Sequence, residues 1–124
     1  MKKWVIAAVA LTAMSSASFA AGDAAKGEAV FKKCMACHQN ADATNKVGPT
    51  LKGVVGRAAA SVADYNYSDG MKEYAATGAK WDEAALDAYL KDPKAVVAKT
   101  KMAFAGVKDD ADRADLIAFL AAHP

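Results

Sequence analysis

Hydrophobic positions fall into two regimes along the chain. Trp4 to Met14 is an apolar run broken only by Thr12, preceded by Lys2 and Lys3 and followed by small residues ending Ser18-Phe19-Ala20. A positively led apolar stretch closing on small residues has the anatomy of a secretory signal peptide. Ser18 and Ala20 suit the positions a signal peptidase reads, so residues 1–20 are expected to be cleaved and residues 21–124 to form one domain. The run is about half of the ~20 residues a membrane span needs, and no later segment is long and apolar enough, so stable membrane insertion is not expected.

After Asp23 the spacing becomes helical. Gly27, Val30, Phe31 and Cys34 share one face of a helix that Asp23 caps and that delivers Cys34 near its end. From Gln39 to Asp64 the chain is rich in Gly, Asn, Thr and small residues without sustained periodicity, which reads as turns and irregular loop. A loop of that length inside a compact domain usually serves a function. Asp69 is placed to cap a short helix through Met71, Tyr74 and Ala75 that ends near Gly78. Asp82 caps a clearer one with Leu86, Tyr89 and Leu90 on one side, stopped at Asp92 by Pro93. Asp92-Pro93 itself has the form of an N-cap followed by a first-turn proline. The stretch from Lys99 to Gly106 reads as loop, and Asp110 opens a last helix carrying Leu116, Ile117, Phe119 and Leu120. No period-2 alternation occurs, so the fold class is all-α with long loops.

Composition sharpens this picture. Of 124 residues 54% are hydrophobic, but much of that is alanine, and few large apolar side chains remain for a core once the leader is removed. A bulky buried prosthetic group would fill the deficit. Charge points the same way by exclusion: 16 basic residues stand against 14 acidic, and Lys2 and Lys3 leave with the leader, so the mature chain is formally neutral. Nucleic-acid binding, which draws on a basic surplus, is not expected.

The only two cysteines lie in Cys34-Met35-Ala36-Cys37-His38, the spacing of c-type haem attachment. Two thiols three positions apart add to the two vinyl groups of one porphyrin, and the imidazole that follows reaches the iron. Cys34 and Cys37 are thus the expected covalent anchors and His38 the proximal ligand. Competing chemistries fit less well. Structural zinc needs four ligands, and His123 at the chain end, expected in solvent, is the only other histidine. A dithiol redox site belongs beside a βαβ pattern, and a disulfide on so short a loop constrains little of the unfolded chain.

A second iron ligand has three candidates in the mature chain. Met35 sits inside the attachment loop, and Met71 falls on a helical face where methionine is more often core filling. Met102 lies in an irregular loop far from His38, where a chain could arch over a porphyrin. A thioether is a soft ligand, and His/Met ligation raises the potential as an electron carrier requires. Position and chemistry favour Met102, with core packing as the competing reading.

Taken together, GDAAKGEAVFKKCMACH, GPTLKGVVGR, YNYSDGMK, the tryptophan of GAKWDEAALDAYLKDPK, KTKMAFAG and DLIAFL make the chain resemble the class I cytochromes c, especially the cytochrome c2 group and the mitochondrial form. The likeness runs from Gly22 to about Ala121 and implies the class I fold: a few helices and long loops around one covalently bound haem c. It also implies roles. Met102 resembles the distal ligand, and Pro49 the residue whose carbonyl accepts the His38 Nδ1 hydrogen bond. Arg57, Tyr67, Ser68 and Trp81 match groups that hydrogen-bond the haem propionates, and Tyr89 and Thr100 match a polar network near the methionine sulfur. Gly27 and Phe31 resemble a helix face that crosses the last helix at Leu116 and Phe119. Met71 stands where many relatives carry an asparagine.

The resemblance implies a periplasmic one-electron carrier, not an enzyme, with no substrate bound to iron. Lys32, Lys33, Lys46, Lys52, Lys94, Lys99 and Lys101 flank the haem-binding segments, while Asp109, Asp110, Asp112 and Asp115 cluster on the last helix. A lysine ring at the haem edge would steer docking onto acidic membrane or periplasmic redox proteins: a cytochrome bc-type donor, and an oxidase, reductase or photosynthetic reaction centre as acceptor. Such encounters have small interfaces, and a monomer is expected. A haem-based ligand sensor or a peroxidase is the alternative, and each requires that Met102 is not bound.

Overall fold

In a computed structural model, the structure describes residues 22–124. The expected leader and its cleavage point lie outside the described residues. The chain there forms five helices, α1 (Ala24–Phe31), α2 (Asp69–Ala76), α3 (Glu83–Lys91), α4 (Pro93–Val96) and α5 (Asp110–Ala121). The fold is all-α: an isolated antiparallel bridge between Ala58 and Lys80 stands in place of any strand among the described residues.

Each helix begins where a side-chain oxygen takes up amide donors that the first turn leaves unpaired. Asp23 accepts from Ala25 and Lys26, Asp82 from Ala85, and Asp92 from Ala95 ahead of Pro93. At α2 the cap is one residue earlier than the sequence pattern predicts, Ser68 rather than Asp69, while Asp110 opens α5 as expected, behind Asp109 as its cap; Asp69 and Asp110 are the first helical residues, where a negative charge favours the helix dipole. α1 ends at Phe31, three residues short of Cys34.

The terminal helices cross and form the main helix contact. α1 buries Gly27, Val30 and Phe31, and α5 buries Leu116, Ile117, Phe119 and Leu120. The rings of Phe31 and Phe119 lie 5.0 Å apart. Burial of Leu116 and Ile117 is worth roughly 2–3 kcal/mol each before the ordering cost. Close approach depends on Gly27: a Cβ there would lie 1.9 Å from the Asp115 carbonyl oxygen and 2.7 Å from Phe119 Cβ. The clasp is extended by the Asp23 amide, which donates to Asp115 Oδ1 at 2.7 Å.

α3 packs on α4 and α5, and a stack of Tyr74, Trp81 and Tyr89, with centroids 5.5 and 4.9 Å apart, ties α2 and α3 to the segment between them. The irregular stretch after His38 is held by its own polar groups. The Gln39 amide donates to the Asp42 carbonyl and accepts from the Ala41 amide, and the Thr50 amide donates to Asn45 Oδ1. The buried apolar cluster that these elements share borders a cavity.

Candidate functional site

The turn after α1 continues in helical hydrogen bonding although the helix has ended. Cys34 donates to the Phe31 carbonyl at 2.8 Å, and both Cys37 and His38 donate to the Cys34 carbonyl at 3.1 and 2.8 Å. One tight turn therefore gathers Cys34, Cys37 and His38 at the wall of a cavity of about 500 Å³. Both thiols are free; Cys34 is half-buried, and loss of hydration pushes its pKa up, while Cys37 is exposed.

The His38 ring is fixed from behind. Its Nδ1–H donates to the Pro49 carbonyl at 2.7 Å, which selects the tautomer and leaves the Nε2 lone pair available. Burial lowers its pKa most, the Pro49 bond opposes that, and the charges of Arg57 and Lys46 add to the lowering, all told favouring the neutral imidazole. Gly48 makes the seat: a Cβ there would lie 2.3 Å from His38 Cε1.

Met102 reaches the same cavity from the loop between α4 and α5. Its amide donates to Thr100 Oγ1 at 3.3 Å, and that hydroxyl shares a 2.9 Å hydrogen bond with Tyr89 Oη on α3. Burial pushes the Tyr89 phenol pKa up. Arg57 donates from Nη1 to the Thr50 carbonyl at 2.8 Å and the Lys52 carbonyl at 3.2 Å, while its buried Nε has no partner among the described residues. Tyr67 Oη accepts from the Val62 amide at 3.1 Å, Ser68 Oγ accepts from the Met71 amide as the α2 cap, and Trp81 is buried against Tyr89. Apolar walls come from Leu51, Val54, Leu86 and Leu90.

All of the residues expected from the sequence, Cys34, Cys37, His38, Pro49, Arg57, Tyr67, Ser68, Trp81, Tyr89, Thr100 and Met102, line this one cavity. Met71 lines it too, whereas Met35 is 52% exposed and points its chemistry to solvent. His123 differs from expectation. Its Nδ1 donates to the Phe119 carbonyl at 2.7 Å, its ring stacks on Phe119 at 4.3 Å, and its own carbonyl accepts from the Gly53 amide. Sequence reasoning missed Gly48, Val54 and Phe104 as parts of the site. None of the three carries chemistry of its own that would have marked it.

The lining suits an iron porphyrin on its own chemistry. It supplies two free thiols one turn apart, an imidazole oriented by a carbonyl, a thioether on a separate loop, apolar walls, and a buried guanidinium nitrogen with bonding capacity to spare. An unpaired buried donor is costly in a finished site, and a carboxylate-bearing group would satisfy it. Among the described residues no group of three or more His, Cys, Asp or Glu side chains is arranged to hold a metal ion.

Comparison with known proteins adds a third line. A family model described as Cytochrome c matches residues 24–124. The chain is 54% identical over 123 residues to a cytochrome c2 of Rhodomicrobium vannielii, covering 98% of this chain and 96% of that protein. It is 48% identical over 132 residues to a cytochrome c2 of Rhodospirillum rubrum, covering 97% of each. Among solved structures it is similar to cytochrome c2 from Rhodospirillum centenum, with TM-score 0.77 and 41% identity over 82% of this chain and 98% of that one. Cytochrome cH from Methylobacterium extorquens aligns with TM-score 0.75 and 47% identity, over 82% of this chain and 99% of that one.

Proposed function

The chain belongs to the cytochrome c family, whose members carry electrons on one covalently bound haem c and are not enzymes, and from that premise we propose a soluble periplasmic carrier with His38 and Met102 as axial iron ligands. Cys34 and Cys37 form the thioethers. The observation that carries this reading is that a single cavity brings the CMACH turn and Met102, 64 positions on, to one wall system. When bound, the haem iron supplies a one-electron ferric/ferrous couple.

The residues of the chain make that couple usable. Pro49 and Gly48 hold the His38 ring in one orientation, so its Nε2 lone pair would be presented in the same way to a bound iron of either charge. Thr100 and Tyr89 restrain the backbone and surroundings of Met102, and their hydroxyls tune the potential from the distal side. Arg57, Tyr67, Ser68 and Trp81 would hold the carboxylates of a bound haem, where Arg57 would offset a buried negative charge that is otherwise expensive. The apolar walls would keep water from its iron.

Lys33 and Lys101 stand at the cavity lip. Lys101 is pinned there by the Asn66 carbonyl and lies over the Tyr65 ring at 4.6 Å. With Lys46, whose Nζ donates to the Met35 carbonyl at 2.7 Å, these cations support docking onto acidic redox partners. The partners are a cytochrome bc-type donor and an oxidase, reductase or reaction centre, met by a monomer. Export through the leader at residues 1–20 would place the carrier in the periplasm, and no helix among the described residues is long and apolar enough to cross a membrane.

Met102→Leu tests the ligand assignment. The variant should retain haem, lose the near-red ferric absorption that thioether ligation produces, bind carbon monoxide in the ferrous state, and show a lower reduction potential. Carbon monoxide binding readily to the unaltered ferrous protein at neutral pH would instead support the sensor or peroxidase reading.

A further inference from the structure

Arg113 has no place in the site described so far, yet it is only 4% exposed. Its guanidinium spends its donors on three different segments. Nε bonds Asp87 Oδ1 on α3 at 2.6 Å, Nη2 bonds Asp110 Oδ1 on its own helix at 2.6 Å, and Nη1 bonds the Val107 carbonyl at 3.0 Å. Val107 is the far end of the loop that begins at Thr100 and carries Met102.

The same end of the loop also caps α3. Pro93 stops that helix and leaves its last carbonyls without helical partners. Two of them are satisfied by the loop: the Val107 amide donates to the Leu90 carbonyl at 2.7 Å, and Lys108 Nζ donates to the Lys91 carbonyl at 2.7 Å. Gly106, at φ +111°, lies so close that a Cβ would be 2.1 Å from the Lys91 carbonyl oxygen. The arch over the cavity therefore has two abutments. Thr100 and Tyr89 form one, and Val107 with the α3 terminus forms the other.

We infer that Arg113 is a positioning residue that clamps the second abutment and so keeps the Met102 loop closed over the iron. This rests on Met102 being the distal ligand. The guanidinium is the one group that holds the loop carbonyl, α3 and α5 at once. A planar fork with a fixed charge bonds three acceptors in different directions, and a lysine ammonium reproduces this poorly. With the clamp removed, α1 and α5 still cross through Phe31, Leu116 and Phe119, but the loop root keeps only the Val107 amide and Lys108 bonds to the end of α3 and loses its tie to α5. The closed state then gives way to an open one in which the sixth iron position is free.

Exogenous imidazole binding to the ferric holoprotein measures that opening, because its apparent affinity scales with the open fraction. Arg113→Gln should tighten imidazole binding about tenfold or more, the scale of a lost charge-assisted hydrogen bond. Arg113→Lys should fall between it and the unaltered protein. Asp87→Asn should act in the same direction, and Asp110→Asn less, since its carboxylate is 85% exposed and screened by water. Ile117→Val, trimmed elsewhere on α5, serves as the control for general loss of stability, read by the denaturant midpoint. If Arg113→Gln and Ile117→Val change imidazole affinity in proportion to their midpoints alone, Arg113 is merely structural and the inference fails. Should Arg113→Gln not yield holoprotein, Asp87→Asn decides, and an unchanged affinity there overturns the inference. Met102→Leu separates the two readings: if its imidazole affinity equals that of the unaltered protein, the ligand assignment itself is wrong.

Discussion

Single residues set the chemistry here, and Tyr89 illustrates how a packing contact becomes an electrochemical one. Its ring lies in the stack with Trp81, and its hydroxyl meets Thr100 at 2.9 Å. Because burial raises its pKa, the folded protein binds the phenolic proton more tightly than the unfolded chain does. The resulting stability is fully present below about pH 10, the unfolded tyrosine value, and is lost as pH rises through the higher folded value. Tyr89→Phe removes that titration, so thermal midpoints measured between about pH 9 and pH 11 should fall less steeply in the variant than in the unaltered protein. At this scale the sequence was informative wherever a residue has distinctive chemistry. The CMACH thiols and imidazole stood out by spacing and Met102 by position and softness, and all four line the cavity. Pro49, Arg57, Tyr67 and Ser68 entered only through the family resemblance, because a carbonyl, a guanidinium or a hydroxyl acquires its role only from what the fold places opposite it. Gly48 was invisible for a simpler reason: what matters there is the absent side chain beside the His38 ring.

Helices and loops were legible to within about three residues, and the misses have a physical origin. Where two capping residues stand side by side, as in Ser68-Asp69, either could start the helix, and tertiary packing chooses. α1 stops before Cys34 because the attachment turn has its own bonding around the Cys34 carbonyl. The last helix concealed most. Arg113 sits in a run of aspartates that resembles a solvated face, yet it is buried and joins α3 to the methionine loop. The crossing of α1 and α5 depends on Gly27 in a way that a substitution would reveal. Gly27→Ala forces a methyl group against a backbone carbonyl rather than a yielding side-chain end. A loss of roughly 2–3 kcal/mol is expected from such overpacking, measured as a lower urea midpoint with the visible haem spectrum retained.

For the molecule as a whole, charge distribution matters more than total charge. The mature chain is formally neutral if the leader leaves at Ala20, but its cations and anions are differently employed. Asp109, Asp110 and Asp115 are engaged as a cap, an Arg113 partner and the acceptor of the Asp23 amide. Lys33 and Lys101 border the cavity that would hold the haem. Electron transfer to a small anionic oxidant such as ferricyanide should therefore slow as ionic strength rises from about 10 to 150 mM, across which the screening length shrinks from about 30 to 8 Å. Stopped-flow rates that stay flat over that range would remove electrostatic steering from the account.

The α1–α5 clasp also dictates an order of events. A chain that emerges N-terminus first presents Cys34 and Cys37 many residues before the helix bearing Leu116 and Phe119 exists, so the face around Gly27 stays bare in the meantime. Attachment at the two thiols during that interval would meet an α1 face still open, and Cys37 stays exposed even after the last helix has docked.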